Sequence, residues 1–142
     1  MHLQSNKVSA DASKLKKEGD IQAKETWLDI KGILGKISNA ASIRSAQAAT
    51  IIAHFKKSKH PIIVCGDMND TPLSYNYKLF SQTLNDGFKE RAIGLGTTYN
   101  ETIPLLRIDY IWTDKQLQVN SHEIITENFS DHYPVISRIQ IN

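Results

Sequence analysis

A chain of 142 residues with 40% hydrophobic and 23% charged side chains can bury one core but is too short for two comfortable domains. Its 17 basic residues are offset by 15 acidic ones, for a formal charge of +2, so nucleic acid is permitted as a partner without the basic face of a dedicated duplex binder. The single cysteine, Cys65, excludes an internal disulfide, and its place in an apolar run reads as a packed small residue rather than a nucleophile.

No run approaches the roughly 18 consecutive apolar residues of a membrane span, and the expectation is of a chain with no signal peptide and no membrane segment, which leaves its localisation unassigned. Met1 to Ser5 is too short to read as a strand. Residues 6–20 carry Lys14, Lys16, Lys17 and Glu18 among small polar residues and read as an exposed, mobile loop. From Ile21 to Ile37, Trp27, Ile30, Leu34 and Ile37 recur at helical spacing, although Gly32 and Gly35 each cost about 1 kcal/mol relative to alanine. A firmer helix runs from Ala41 to Lys57, with Ala48, Ile51, Ile52 and Phe55 at i, i+3, i+4 and i+7. Asn39 or Ser42 suits its N-cap, and Lys56, Lys57 and Lys59 suit its negative end. His54 lies in this helix and reads as structural. Pro61 forbids continuation.

Ile62, Ile63, Val64 and Cys65 then form a short apolar run bounded by Pro61 and Gly66, read as a buried β-strand. Its carboxyl end delivers Asp67, Asn69 and Asp70. A carboxylate and a carboxamide two residues apart suit holding a phosphate oxygen or a metal-bound water, although a polar turn capping a strand uses the same residues. Thr71 to Ser74 turns into a short helix over Tyr75 to Leu84, which Asn85-Asp86-Gly87 stops. Phe88 to Ile93 reads either way. Gly94-Leu95-Gly96 lacks the third glycine of a dinucleotide fingerprint and leads into a strand-like Thr97-Thr98-Tyr99. Arg107 to Trp112 is a strong strand whose alternation places Ile108, Tyr110 and Trp112 on one face and Arg107, Asp109 and Ile111 on the other. Leu117 to Glu127 contains a further strand, and Tyr133 to Ile141 alternates after the loop Phe129-Ser130-Asp131-His132. No repeat or linker interrupts the chain.

Three polar signatures thus sit at the edges of apolar strands. Asp131-His132 offers one side chain for a divalent cation and one that moves a proton near neutral pH. Asp109, inside a strand with apolar neighbours, is costly to bury without a partner, and an imidazolium is the natural one. Such a pair fixes the histidine's tautomer and raises its basicity, with water rather than a serine as the nucleophile.

Gly66-Asp67-Met68-Asn69, then Arg107-Ile108-Asp109-Tyr110-Ile111, then Ser130-Asp131-His132-Tyr133-Pro134-Val135, with gaps of about forty and about twenty residues, resembles the carboxyl-terminal half of the endonuclease/exonuclease/phosphatase superfamily. The opening His2-Leu3-Gln4-Ser5 resembles the family's Asn-x-His-Leu strand, and Gly66-Asp67-Met68-Asn69-Asp70-Thr71-Pro72 with Arg44-x-x-Gln47-Ala48 is most similar to its small bacterial members. The resemblance implies an α/β fold of the α+β type: half of a deoxyribonuclease I-like four-layer sandwich, with a mixed, mostly antiparallel sheet and flanking helices. Residues 1–142 would be a single partial domain, since the family's amino-terminal Asn and its Gln-Glu motif, whose glutamate is a principal metal ligand, are not in this sequence.

By the same resemblance the activity is metal-dependent phosphoester hydrolysis with Mg²⁺ or Mn²⁺. Asp131 and Asp67 would serve as metal ligands, His132 as general base or transition-state donor held by Asp109, and Asp67 would position or deprotonate the attacking water. Asn69 and His2 would bind the substrate phosphate, His2 also as a candidate acid. Which of Asp67 and His132 takes the proton stays open. The implied substrate is a small phosphoester, a phospholipid or nucleic acid. A small-phosphoester, phospholipid or general phosphodiesterase is favoured over a duplex-specific nuclease, because the only basic clusters are Lys14 to Lys17, which reads as a solvated charge run, and Lys56 to Lys59, at a helix end away from the expected cleft. A fragment of this kind would be weakly active or inactive alone, and surfaces exposed by truncation would favour a homodimer. The alternative is a noncatalytic binding or assembly module on the same fold.

Overall fold

The computed structural model describes residues 1–3, 24–100 and 105–141, with backbone alone for 24–38. The loop expected over 6–20 lies outside the described residues, as do the side chains of Trp27, Ile30, Leu34 and Ile37. The first element is a single helix, α1 (Lys24–Phe55), of 32 residues, where the sequence suggests two. Asn39 and Ser42 therefore lie within the helix and cap nothing. Two interior glycines carry too small a propensity cost to break a helix whose carboxyl half docks on the core. That half buries Arg44, Ala48 and Ile52, with Ile51 and Phe55 partly covered, at the predicted spacing. The helix closes through tight bonds from Lys57 N–H to the His54 carbonyl and Ser58 N–H to the Phe55 carbonyl. His54 is exposed on the last turn. Among the described residues no helix is long and apolar enough to cross a membrane.

A three-stranded antiparallel sheet in the order β1-β3-β2 follows, built from β1 (Ile63–Asp67), β2 (Leu84–Asp86) and β3 (Asp109–Asp114). Central β3 is covered on both faces: Tyr110, Ile111, Trp112 and Thr113 are all buried. Strand β1 is an edge of this sheet, and the expectation of a wholly buried strand fails there. Val64 packs on the core while Ile63 and Cys65, pointing the other way, are exposed. Alternation along a strand with one face uncovered thus puts Cys65 on the surface, not in the packed position expected of it.

Helix α2 (Tyr75–Thr83) begins where expected, its N-cap Ser74 accepting from Tyr77 N–H at 3.1 Å. The helix ends at Thr83 with Leu84 as its C-cap, within a residue of the expected limit, but Asn85-Asp86-Gly87 is more than a stop. Leu84 is buried and starts β2, and the Asp86 carboxylate caps a second short helix, α3 (Gly87–Arg91), accepting from Phe88 N–H at 3.0 Å. Strands β4 (Gln118–Ile124) and β5 (Val135–Gln140) form an antiparallel hairpin with an irregularity between Val119 and Ser121. Thr97 to Tyr99 makes only isolated bridges, from Tyr99 to Leu106 and to His132.

The core joins these elements through stacked aromatics. Trp112 stacks on Phe80 and on Tyr110, Tyr77 tilts against both Tyr110 and Trp112, and Phe55 of α1 meets Phe80 edge-on. The hairpin is held to α3 by a second contact, the Phe88 ring against His122 at 5.7 Å. Gly87 suits that close junction, because a Cβ there would lie 2.9 Å from His122 Nδ1 and 3.0 Å from the Ile111 carbonyl oxygen and would force one of them to shift. The architecture is the mixed α/β one expected, with antiparallel sheets and flanking helices.

Candidate active site

The sheet register assembles the site. Asp67 ends β1 and Asp109 opens β3, and the two are direct partners in the antiparallel ladder. On its other side Asp67 bridges in parallel to His2, and Leu3 N–H donates to the Asp67 carbonyl at 3.0 Å. Three segments remote in sequence therefore bring His2, Asp67 and Asp109 side by side. Two carboxylates facing each other across a ladder repel, so each needs its own compensation.

Asp67 finds it locally. One carboxylate oxygen accepts from Asn69 N–H at 2.7 Å, and the other accepts from Asn69 Nδ2 at 2.8 Å and lies 3.3 Å from His2 Nε2. The turn requires φ +48° at Asn69, a left-handed conformation that asparagine tolerates better than most residues. Asn69 Nδ2 also reaches the Leu3 carbonyl at 3.1 Å, tying the turn to the His2 segment. Burial raises the Asp67 carboxyl above its ordinary value against the pull of the Asn69 N–H; the Asp109 charge adds to the rise, and His132 and His2 oppose it.

Asp109 is compensated by His132, whose Nδ1 lies 2.8 Å from Asp109 Oδ2. Burial works to lower the imidazole pKa, but the Asp109 hydrogen bond and charge, with help from Asp67 and Asp131, outweigh it and hold His132 above its ordinary value. The bond occupies Nδ1 and leaves Nε2 as the proton-handling atom. The Tyr99 ring stands edge-on to the imidazole at 5.1 Å. Ser130 fixes the loop locally, its hydroxyl accepting from His132 N–H at 2.9 Å, and Asn100 N–H holds the Asp131 carbonyl at 2.8 Å. The Asp131 carboxylate is exposed and acts on His132 through its charge.

Two motif residues turn away from the site. Asp70, which follows Asn69, points inward: its Oδ2 accepts from Asn76 Nδ2 at 2.6 Å and lies 3.1 Å from Arg44 Nε, while its carbonyl accepts from Tyr110 Oη at 2.8 Å. Arg107 is buried against Asp86. Thr98, read in the sequence only as part of a strand-like run, is fully buried behind the Asp109–His132 pair. No motif marks it, because a threonine hydroxyl serves many roles.

The fit to a divalent cation is right in kind and short in number. Asp67 and Asp131 are hard oxygen donors of the sort Mg²⁺ prefers, but both Asp67 oxygens are engaged by Asn69. Among the described residues no three His, Cys, Asp or Glu side chains are grouped to hold a metal.

A family model described as Endonuclease/Exonuclease/phosphatase family matches residues 34–132, well over half of the chain. The chain belongs to this family. The matched span contains Asp67, Asn69, Asp109, Asp131 and His132; His2 lies outside it. Among solved structures, an endonuclease/exonuclease/phosphatase from Bacteroides vulgatus superposes with a TM-score of 0.64 at 28% identity, over 72% of this chain and 45% of that one. A mannosyl-6-phosphatase from Bacteroides thetaiotaomicron VPI-5482 gives 0.63 at 21% identity over 70% and 46%. A functionally unknown conserved protein from Enterococcus faecalis V583 gives 0.63 at 22% over 70% and 45%. The chain thus spans less than half the length of the structures it matches, and its fold is that of part of their domain. No protein of curated function matches it in sequence.

Proposed function

We propose that the chain supplies the Asp67–Asn69 and Asp109–His132 part of an active site that hydrolyses phosphate esters with water. The observation that carries this reading is the pairing of Asp67 with Asp109 in the sheet, which brings the Asp109-bound His132 within electrostatic reach of Asp67. In this reading His132 handles a proton through Nε2 while Asp109 holds the ring. Asp67 orients the attacking water, His2 binds a phosphoryl oxygen, and Asn69 binds one by exchanging one of its Nδ2 bonds, to Asp67 or to the Leu3 carbonyl, for the substrate. A divalent cation, Mg²⁺ or Mn²⁺, would when bound neutralise phosphate charge, with Asp67 and Asp131 as this chain's share of its ligands. The mannosyl-6-phosphatase among the structural neighbours favours a small phosphomonoester over duplex nucleic acid, in keeping with the nearly balanced charge.

The test measures hydrolysis of p-nitrophenyl phosphate, a sugar 6-phosphate and a phosphodiester, with Mg²⁺ and with a chelator. It is made on the chain and on any longer natural protein that contains it. His132→Ala and Asp67→Asn are expected to lower kcat by about 10²- to 10⁴-fold while circular dichroism shows the fold retained at the assay temperature. Turnover close to wild type in both variants would overturn the assignment. The shortage of grouped metal donors favours one second reading, a module that binds phosphate esters without hydrolysing them. It predicts saturable binding of the same esters, by calorimetry, with no product in any form of the protein.

A further inference from the structure

Thr98 sits where the two halves of the Asp109–His132 pair meet. Its hydroxyl accepts from Ile108 N–H at 3.0 Å and from Asp109 N–H at 3.1 Å. Its carbonyl accepts from Tyr133 N–H at 2.7 Å, and its own N–H donates to the Leu106 carbonyl at 2.8 Å. One fully buried side chain therefore grips the backbone at Asp109, while the same residue's main chain grips the residue after His132. The hydroxyl stands in for a neighbouring strand: it satisfies two amides at the entrance to β3 that would otherwise be buried without acceptors. A hydrogen bond of 2.8 Å between Asp109 and His132 requires both backbones held within a fraction of an ångström.

We propose that Thr98 is the positioning residue of the Asp109–His132 pair, holding carboxylate and imidazole in register through its hydroxyl and its carbonyl. Its functional weight rests on the phosphoesterase reading; its geometric effect does not.

The test uses the chain with ¹⁵N-labelled histidine and follows the low-field Nδ1 proton of His132, assigned by its disappearance in Asp109→Asn. Thr98→Val, which keeps the shape and removes the acceptor, is expected to lose that resonance to solvent exchange, and Thr98→Ser, which keeps the hydroxyl, to retain it. His122, hydrogen-bonded through Nδ1 to Ser137 Oγ at 2.7 Å, is the internal reference and stays unmoved in every folded variant. If Thr98→Val also loses the His122 signal, Thr98→Ala, which removes the acceptor without adding bulk, is judged by the same criteria. An unchanged His132 resonance in the valine or alanine variant overturns the proposal, as does its loss in Thr98→Ser. In a form that turns over substrate, Thr98→Val is expected to lower kcat by roughly ten- to a hundredfold at unchanged KM. Absence of any turnover in the wild type counts against the phosphoesterase reading and leaves the resonance test standing.

Discussion

Arg107 stands in the sequence as part of a site motif, yet in the fold it works as structure. Its Nη1 lies 2.7 Å from Asp86 Oδ2, both side chains nearly inaccessible, and Tyr77 Oη donates to the same oxygen at 2.7 Å. The guanidinium lies over the rings of Phe88 and Tyr110, 4.6 Å and 4.8 Å from their centroids. Burial and the Asp86 carboxylate push the Tyr77 phenol well above its ordinary pKa, so it stays a donor. Removing one member of such a pair strands the other, and Asp86→Asn or Arg107→Met is expected to cost about 3–5 kcal/mol in urea denaturation. The double variant is expected to lose less than the sum of the two, because the second change removes a charge already stranded. None of this was legible beforehand. Asp86 sits in Asn85-Asp86-Gly87, which has the composition of a turn, and its partner lies 21 residues further on. The Asp109–His132 pair could be anticipated, because an isolated acid in an apolar strand demands a cation and a histidine stood in a loop after it. For the inward turn of Asp70 towards Arg44, by contrast, nothing local distinguished it from Asp67.

Element by element, apolar periodicity located most of the helices and strands and misjudged their limits. Strands β3, β4 and β5 lie close to where alternation put them, and helix α2 where the turn at Thr71 to Ser74 put it. The break expected in α1 came from reading Gly and Asn as punctuation in what is a tolerated helix interior; the stop expected after α2 holds, and Asp86 within it serves in addition as an N-cap. Gly96 is one glycine with real conformational work, as is Gly66, where an added Cβ would meet the Met1 backbone. The φ of Gly96 is +68°, and an added Cβ would lie 2.5 Å from the Phe88 ring and 2.8 Å from Arg107 Cδ. Gly96→Ala is expected to destabilise by more than about 1 kcal/mol, through strain and through the shift it forces on Phe88 and Arg107. Gly94, at φ +105° with open space around it, provides the comparison: Gly94→Ala carries strain alone and is expected to lower the melting temperature less. Equal losses at the two positions would contradict the packing argument.

For the molecule as a whole, two histidines set opposite limits on pH. His122 lies between α3 and the hairpin beside Phe88 and Ser137. Burial lowers its pKa from 6.5, with Asp86 opposing and Arg107 adding to the fall. The unfolded chain then binds the extra proton first, so stability is lost as pH falls from about 6.5 through the folded value. His132, held above 6.5, works the other way: its contribution is complete below about 6.5 and is lost as pH rises through the folded value. Melting temperature is therefore expected to peak near neutrality, with His122→Gln flattening the acid flank and His132→Gln the alkaline one. Profiles identical to wild type would refute this division. On this scale, family membership and the antiparallel α/β architecture were legible in three spaced motifs, whereas the exposure of Cys65 followed from the face of β1 it shares with Ile63 being uncovered, which strand pattern alone does not reveal. The ladder that pairs Asp67 with Asp109 also pairs Val64 with Trp112, and this shared alignment limits how the site can vary. A single residue inserted into β1 or β3 would send the two carboxylates to opposite faces and turn core side chains toward solvent. Length changes are thus confined to the connecting loops, and chemistry within the strands can be altered only by substitution.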